Sequence, residues 1–127
     1  MKAPMIRFAT TGLLFLLCAA ASAHHSVARY DSDHLVTVEG TVSRIEWTSP
    51  HVFIYFTAVA EDGTTTEWGV ELDPPVLLGR YGWRRDMVKE GDRIKFTGAP
   101  ARSGAPLMRG AIVELADGTS LRVWSRV

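Results

Sequence analysis

The chain has 127 residues, 46% of them apolar, and its 14 Lys and Arg residues balance 14 Asp and Glu residues. This length fits a single domain. The balanced charge argues against nucleic acid as a partner, because nucleic-acid binders normally carry a basic excess. The single cysteine excludes an internal disulfide bond and a zinc site built from several thiolates.

The first 23 residues have the layout of a secretory signal peptide. Lys2 and Arg7 form a basic start, residues 13–21 are an apolar run, and small residues at Ala21 and Ala23 precede a cleavage point. The apolar run is shorter than the ~20 residues that span a bilayer, so cleavage is favoured over a membrane anchor. We therefore expect a periplasmic or secreted protein that has no membrane span after cleavage.

Cleavage after Ala23 changes the chemistry of the chain. It removes Cys18 together with two basic residues, so the remaining protein is slightly acidic and has no thiol. Thiol catalysis and thiolate metal sites are then excluded. The new chain begins at His24, and its free amine lies beside two adjacent histidines.

Residues 24–34 are polar, lack periodicity and predict an N-terminal arm before a domain of residues 35–127. Apolar and polar residues alternate from Leu35 onward, which predicts a strand. The alternation shifts by one residue near Ser43-Arg44, and this shift indicates a β-bulge. Residues 51–60 predict a second strand that is apolar on both faces. A turn at Asp62-Gly63 then leads into a third strand over residues 65–72.

Pro74 and Pro75 predict the start of a short helix that ends near Gly79 or Gly82, and residues 83–88 indicate a further helical turn. A strand over 93–98, a loop over 99–106 and a hairpin of 108–115 with 119–124 complete the chain. Three strands, a short helix and two or three further strands follow the order of an OB-fold, so we predict an all-β, OB-fold-like barrel with this helix between strands three and four. An open β-sandwich is the alternative.

Several segments together resemble one family of small exported bacterial proteins, a domain-of-unknown-function family. They are an Ala-His-His-Ser start at residues 23–26, Trp47-Thr48-Ser49-Pro50-His51, Trp68 to Leu72, and Gly82-Trp83-Arg84-Arg85. The resemblance covers nearly all of the chain after the leader. It implies a secreted, OB-like all-β domain and brings no activity with it. His34 lies outside these segments.

Three histidines are candidate metal ligands. An N-terminal His24 offers an amine and a ring nitrogen, and His25 and His51 offer further imidazoles, a nitrogen-rich set that suits Cu(II). Cleavage after Ala21 would instead leave Ser22-Ala23-His24, which is also a square-planar chelator. The alternative is that His24 and His25 form a solvated terminus, as chain ends commonly do. Copper is therefore the one cofactor that the sequence suggests.

Aromatic residues around the second strand are candidates for a ligand face. Phe53 and Tyr55 share one strand face with His51, and Trp47 precedes them. OB-folds use exposed platforms of this kind to bind ligands, here a peptide, a glycan or an envelope protein. The alternative is that both faces of the strand are buried.

No combination of side chains predicts an enzyme. Glu67 and Glu71 share a strand face and are expected to be solvated, because no nucleophile or burying pocket accompanies them. Ser26, Asp31 and His34 lie too close together in the arm to form a hydrolase triad. We expect Trp83 to close one end of the barrel while a neighbouring arginine pairs with Asp86 or a nearby glutamate. The alternative is a cation–π or anion-binding role.

Overall fold

The computed structural model describes residues 28–124. Its strands and helices are β1 Val36–Glu46, β2 Phe53–Val59, β3 Thr65–Glu71, helix α1 Pro75–Arg80, a 3₁₀ turn Arg85–Met87, β4 Arg93–Pro100, β5 Leu107–Leu115 and β6 Ser120–Arg122. The described chain is thus mostly strand, with one short helix between β3 and β4. This confirms the predicted fold class and the position of the helix.

The first five strands close into a barrel. β1 pairs antiparallel with β2 and with β4, β2 pairs with β3, and β4 pairs with β5. A short parallel ladder between β3 and β5 completes the ring, and β6 extends β5 as a hairpin. This connectivity is that of an OB-fold, a five-stranded Greek-key barrel. The alternative of an open β-sandwich is wrong.

The first strand is long and bent, and it pairs with β2 on one side and with β4 on the other. The register of β1 against β2 shifts between Val42 and Arg44, which is the β-bulge expected at Ser43-Arg44. Gly40 lies just before this bend, where a side chain would meet the backbone of β2: an added Cβ would lie 2.3 Å from the carbonyl oxygen of Thr57. The close approach of the two backbones therefore requires glycine here.

The barrel interior is an apolar core to which every long strand contributes. Its largest fully buried side chains include Trp83, Phe56, Phe96, Ile54, Leu72 and Leu78. Trp83 follows α1 and packs edge-on against Trp47, with ring centroids 5.8 Å apart. Arg84 Nε lies 3.2 Å from the Asp86 carboxylate at the surface. The contact between Arg84 and Asp86 agrees with the pairing expected for this segment, and Trp83 is fully buried in the core.

Three strands differ in their bounds from the sequence expectation. β4 continues to Pro100, although the composition of residues 99–106 predicts a loop from Ala99 onward. The strand persists because Ala99 and Pro100 pair with Arg109 and Met108 of β5. The second and last strands are shorter than expected, at Phe53–Val59 and Ser120–Arg122.

A second, smaller apolar cluster lies outside the barrel interior. It consists of Tyr30, Ala99, Ala111 and Trp124, with Ala101 and Leu107 packed against it. Tyr30 comes from the segment before β1 and Trp124 from the segment after β6, so the two end segments of the described chain meet on the same part of the barrel. The predicted signal peptide of residues 1–23 lies outside the described residues.

The close approach at Gly40 leads to a stability prediction. We expect Gly40→Ala to lower the free energy of unfolding by about 1–3 kcal/mol, because the methyl group would overlap the β2 backbone. Gly79→Ala is the matched control, since no atom lies within 4 Å of its added Cβ in α1. That control should be neutral or stabilise the protein by up to about 1 kcal/mol. Urea unfolding of both variants measures the difference, and equal effects would contradict this account of β1.

Candidate functional site

The candidate site starts from the strand pair that closes the barrel. In the parallel ladder, Glu71 of β3 stands opposite Arg109 of β5. Both side chains are buried, with Glu71 only 4% and Arg109 only 9% exposed. Their strand neighbours Val70 and Met108 belong to the barrel core, so alternation directs Glu71 and Arg109 to the outside of the barrel. Other parts of the chain must therefore cover these charges.

Arg109 connects two buried carboxylates. Its Nη1 lies 3.4 Å from Glu71 Oε1 and donates a 2.9 Å hydrogen bond to the carbonyl oxygen of Leu72. Its Nη2 donates to the carboxylate of Asp73, which is 4% exposed. The guanidinium also lies 5.8 Å from the ring centroid of Trp124. Two negative charges and one positive charge are thus buried together and are satisfied by hydrogen bonds as well as by charge.

The arm before β1 supplies the cover on the other side. The Tyr30 hydroxyl donates a 2.8 Å hydrogen bond to Glu71 Oε2, and the ring is only 4% exposed. Burial, followed by the hydrogen bond to Glu71 and the negative charge of Glu71, raises the pKa of Tyr30 well above its ordinary value. The backbone of this segment is also paired, since Asp31 N–H donates to the Pro100 carbonyl at 2.8 Å.

His51 shares the same carboxylate. Its Nδ1 lies 2.9 Å from Glu71 Oε1, and 33% of its side chain is exposed. His51 follows Pro50 in the loop between β1 and β2, just before β2 begins. Glu71 is therefore in contact with the arm, with β5 and with the loop before β2. This set of residues, namely Tyr30, His51, Glu71, Asp73 and Arg109, is here named the Glu71 cluster.

Of the three predicted metal ligands, only His51 falls within the part of the chain that the structure describes. His24 and His25 lie outside it, so their use as ligands stays a prediction. Within residues 28–124, no group of three or more His, Cys, Asp or Glu side chains is arranged to hold a metal ion. His51 thus contributes one imidazole beside a buried carboxylate.

The predicted ligand-face residues fall into two places. Phe53 and Tyr55 lie half-buried on the outer side of β2, with near-parallel rings whose centroids are 6.3 Å apart. The guanidinium of Arg44 lies 3.8 Å from the Tyr55 ring centroid and also contacts Glu46. Trp47 instead packs against Trp83 and the barrel core. The structure therefore brings Phe53 and Tyr55 together and packs Trp47 against the barrel core.

The expectation that Glu67 and Glu71 are both solvated is half wrong. Glu67 is exposed, but Glu71 is buried because the arm and the pairing with β5 cover the end of β3. Asp31 and His34, which lie three positions apart in the arm, contact each other: His34 Nδ1 lies 3.0 Å from Asp31 Oδ2. The His34 side chain is 82% exposed, so this pair lies at the surface.

Sequence reasoning missed three members of the cluster: Tyr30, Asp73 and Arg109. One signal for Arg109 was present, because it is the only charged residue between Leu107 and Val113, inside an otherwise apolar or glycine-containing stretch. A charge in such a stretch must either disrupt the strand or find a buried partner. Tyr30 carried no comparable signal, because nothing in the local pattern of the arm reveals its distant contact.

The fold and the cluster together define a small OB-fold barrel with an ionic cluster that its own arm covers. The chain belongs to a family of unknown function (DUF6152), whose model matches residues 13–109. This confirms the resemblance to a domain-of-unknown-function family. No curated protein matches the chain. No helix within residues 28–124 has the length and apolar character needed to cross a membrane.

The buried phenol of Tyr30 makes stability depend on alkaline pH. Because its pKa is raised in the folded state, the folded protein keeps this proton when the unfolded chain loses it near pH ~10. The contribution of Tyr30 is thus fully present below that pH and is lost as pH rises further. We expect the free energy of unfolding to fall above pH ~10, and Tyr30→Phe to reduce this fall.

At neutral pH, Tyr30→Phe should cost about 1.5–3 kcal/mol, since it removes a hydrogen bond to a buried charged group. Tyr55→Phe is the control, because it alters a half-buried tyrosine outside the Glu71 cluster. Denaturant unfolding across the alkaline range measures both effects. An unchanged pH profile in Tyr30→Phe would contradict the role assigned to this phenol.

Proposed function

We propose that this protein is an exported, non-enzymatic OB-fold protein that binds copper through the processed histidines His24 and His25 together with His51. The leader-like pattern of residues 1–23 supports export to the periplasm or the medium. The two described histidines, His34 and His51, each contact a carboxylate and are not paired with a serine or threonine hydroxyl.

One observation carries the proposal: a single carboxylate, that of Glu71, contacts both the arm and His51. Tyr30 binds one of its oxygens and His51 the other. His25 precedes Tyr30 by five positions, and five residues span at most roughly 18 Å. Because Tyr30 and His51 contact the same carboxylate, the short stretch between His25 and Tyr30 supports a site that His24, His25 and His51 share.

The chemistry of this donor set favours copper. After cleavage at Ala23 the proposed ligand set has one amine and three imidazoles, and the remaining chain, which keeps all four histidines, has no thiolate. Among divalent first-row metals Cu²⁺ binds most strongly to such nitrogen ligands, and it accepts a square-planar arrangement. A structural zinc site would ordinarily include thiolates or a closed four-residue set within the fold.

The test is a Cu(II) titration of protein purified from the periplasm with its native N-terminus. We expect sub-micromolar affinity, and we expect His24→Ala and His51→Ala each to weaken binding at least about tenfold, or ~1.4 kcal/mol. His34→Ala is the matched control, because this exposed histidine lies in the arm but outside the proposed ligand set. Equal affinity in all four proteins would refute the proposal, as would native affinity after the amine is blocked.

A second candidate function is an envelope interaction module that binds a peptide, a glycan or a protein partner on the barrel face. The paired rings of Phe53 and Tyr55 favour it, because they are half-exposed on β2, and the β2–β3 face is where OB-folds bind ligands. The neighbouring Arg44 would add a charged contact.

Cross-linked capture from envelope extract separates the two functions. If the barrel face binds a partner, Phe53→Ala or Tyr55→Ala should abolish capture, whereas His24→Ala should leave it intact. The exposed Val59, which lies at the end of the same strand, provides a control in Val59→Ala. Capture that requires His24 and survives both aromatic substitutions would instead favour the metal site.

A further inference from the structure

The outer face of β2 carries two aromatic rings that together form a flat surface. The rings of Phe53 and Tyr55 have centroids 6.3 Å apart and planes at 19° to each other, and both side chains are half-buried. β2 is an inner strand, because β1 pairs with it on one side and β3 on the other. Over residues 53–57 its backbone therefore has no free edge for an extended peptide, and a ligand on this face meets side chains.

A glycine on the neighbouring strand extends this surface. Gly69 of β3 stands opposite Tyr55 on one side and opposite Leu107 of β5 on the other. A Cβ at Gly69 would lie 3.3 Å from Tyr55 Cε1 and 2.7 Å from Leu107 Cδ2, so both side chains reach over the glycine. The apolar surface thus continues from Phe53 and Tyr55 to Leu107. These three side chains are here named the ring platform.

β1 supplies a polar border to the ring platform. Glu46 stands opposite Phe53, and Arg44 stands opposite Tyr55. The Arg44 guanidinium lies 3.8 Å from the Tyr55 ring centroid and also contacts the Glu46 carboxylate. About half of each of these two polar side chains is exposed. N–H donors and carboxylate acceptors are therefore available to a ligand that lies on the rings.

Charge and size narrow the class of ligand. The positive charge of Arg44 is balanced by Glu46, and the exposed Glu67 of β3 adds a negative charge to the same face. Single-stranded nucleic acids require a positively charged groove beside their stacked bases, so these charges disfavour them. A protein partner of ordinary size covers about 800 Å², whereas a fully covered Phe or Tyr buries about 150–250 Å². Two half-buried rings therefore suit a narrow ligand.

We infer that the ring platform binds an uncharged, β-linked oligosaccharide. This inference rests on the second candidate function and names its ligand. A pyranose ring has faces of C–H groups, which stack on aromatic rings, and a rim of hydroxyl groups. Here the C–H faces would lie on Phe53 and Tyr55, while Arg44 and Glu46 would bind the hydroxyls. Two near-parallel aromatic rings match two consecutive sugars of a β-1,4-linked chain, because such a chain is a flat ribbon.

The first test is a titration of the folded wild-type protein, followed by nitrogen-15 correlation spectra of the protein and proton spectra of the sugar. The probes are cellotetraose and chitotetraose, which are both β-1,4-linked. We expect at least one of them to bind with a Kd below about 1 mM. It should shift the signals of β2, and its own C–H protons should move upfield because they lie over aromatic rings.

Maltotetraose is the matched control sugar, because it contains the same glucose units as cellotetraose in an α-1,4-linked, curved chain. It should bind at least about tenfold more weakly than the better of the two probes. Failure of both β-linked tetramers to bind would overturn the inference, and so would equal binding of maltotetraose.

The second test asks whether the rings carry the binding. Phe53→Leu and Tyr55→Leu keep an apolar side chain on the strand but remove the flat ring, and each should weaken binding of the tetramer at least about tenfold. Tyr55→Phe keeps the ring and should retain most of the affinity. Val59→Ala is the matched control, because this exposed side chain lies on β2 outside the ring platform. It should leave the affinity unchanged.

The outcomes separate this inference from the function on which it rests. Wild-type affinity in both leucine variants would refute the ring platform as the sugar site. If a leucine variant does not fold, the upfield shifts of the sugar protons in the wild-type spectra still decide whether the sugar lies on the rings. Capture of an envelope protein that requires Phe53 and Tyr55, without binding of either tetramer, would refute the saccharide and leave the second candidate function standing. Tighter binding of an oligothymidine decamer to the same rings would overturn the inference in favour of nucleic acid.

Discussion

The parallel pairing of β3 with β5 is the constraint on which the rest of this structure depends. It closes the ring of strands β3-β2-β1-β4-β5 over only three residue pairs, and one of these pairs is Glu71 with Arg109. Closure of the barrel and burial of the ion pair are thus one event. Removing Arg109 would leave the buried carboxylates of Glu71 and Asp73 without their guanidinium, and this costs far more than an intact pair contributes. Burial of both carboxylates therefore depends on the arginine that the ladder places beside them.

Burial of charges on the outside of a barrel has a consequence for the chain ends. The apolar core cannot shield these groups, because alternation directs them away from it. Shielding comes from Tyr30 before β1 and from Trp124 after β6, which meet in the smaller apolar cluster. Residues 28–34 of the arm are consequently part of the folded structure, since the Tyr30 phenol satisfies one oxygen of Glu71. The same geometry explains why the site lies where the arm, β5 and the loop before β2 come together.

Local sequence patterns predicted the barrel well and the site poorly. The reason is that the site depends on contacts between residues that are far apart in the sequence. Alternation, the phase slip at Ser43-Arg44 and the two prolines before α1 are features of neighbouring residues, and the structure confirms each of them. The burial of Glu71 depends on Arg109, which is 38 positions away, and on Tyr30, which is 41 positions away. Glu67 and Glu71 look alike in sequence because only the three-dimensional closure distinguishes them. His51 could be identified as a candidate ligand, but its partner could not.

The shared carboxylate also implies that the arm and His51 do not act independently. Any ligand that binds the imidazole changes the charge distribution of His51 beside Glu71, and so changes how Glu71 interacts with Tyr30. Coupling of this kind is reciprocal: if metal binding at His51 strengthens docking of the arm, docking of the arm strengthens metal binding by the same factor. Under the proposed function the arm also carries the other ligands. Its anchorage would then set the local concentration of His24 and His25 near His51, through the one buried carboxylate that Tyr30 and His51 both contact.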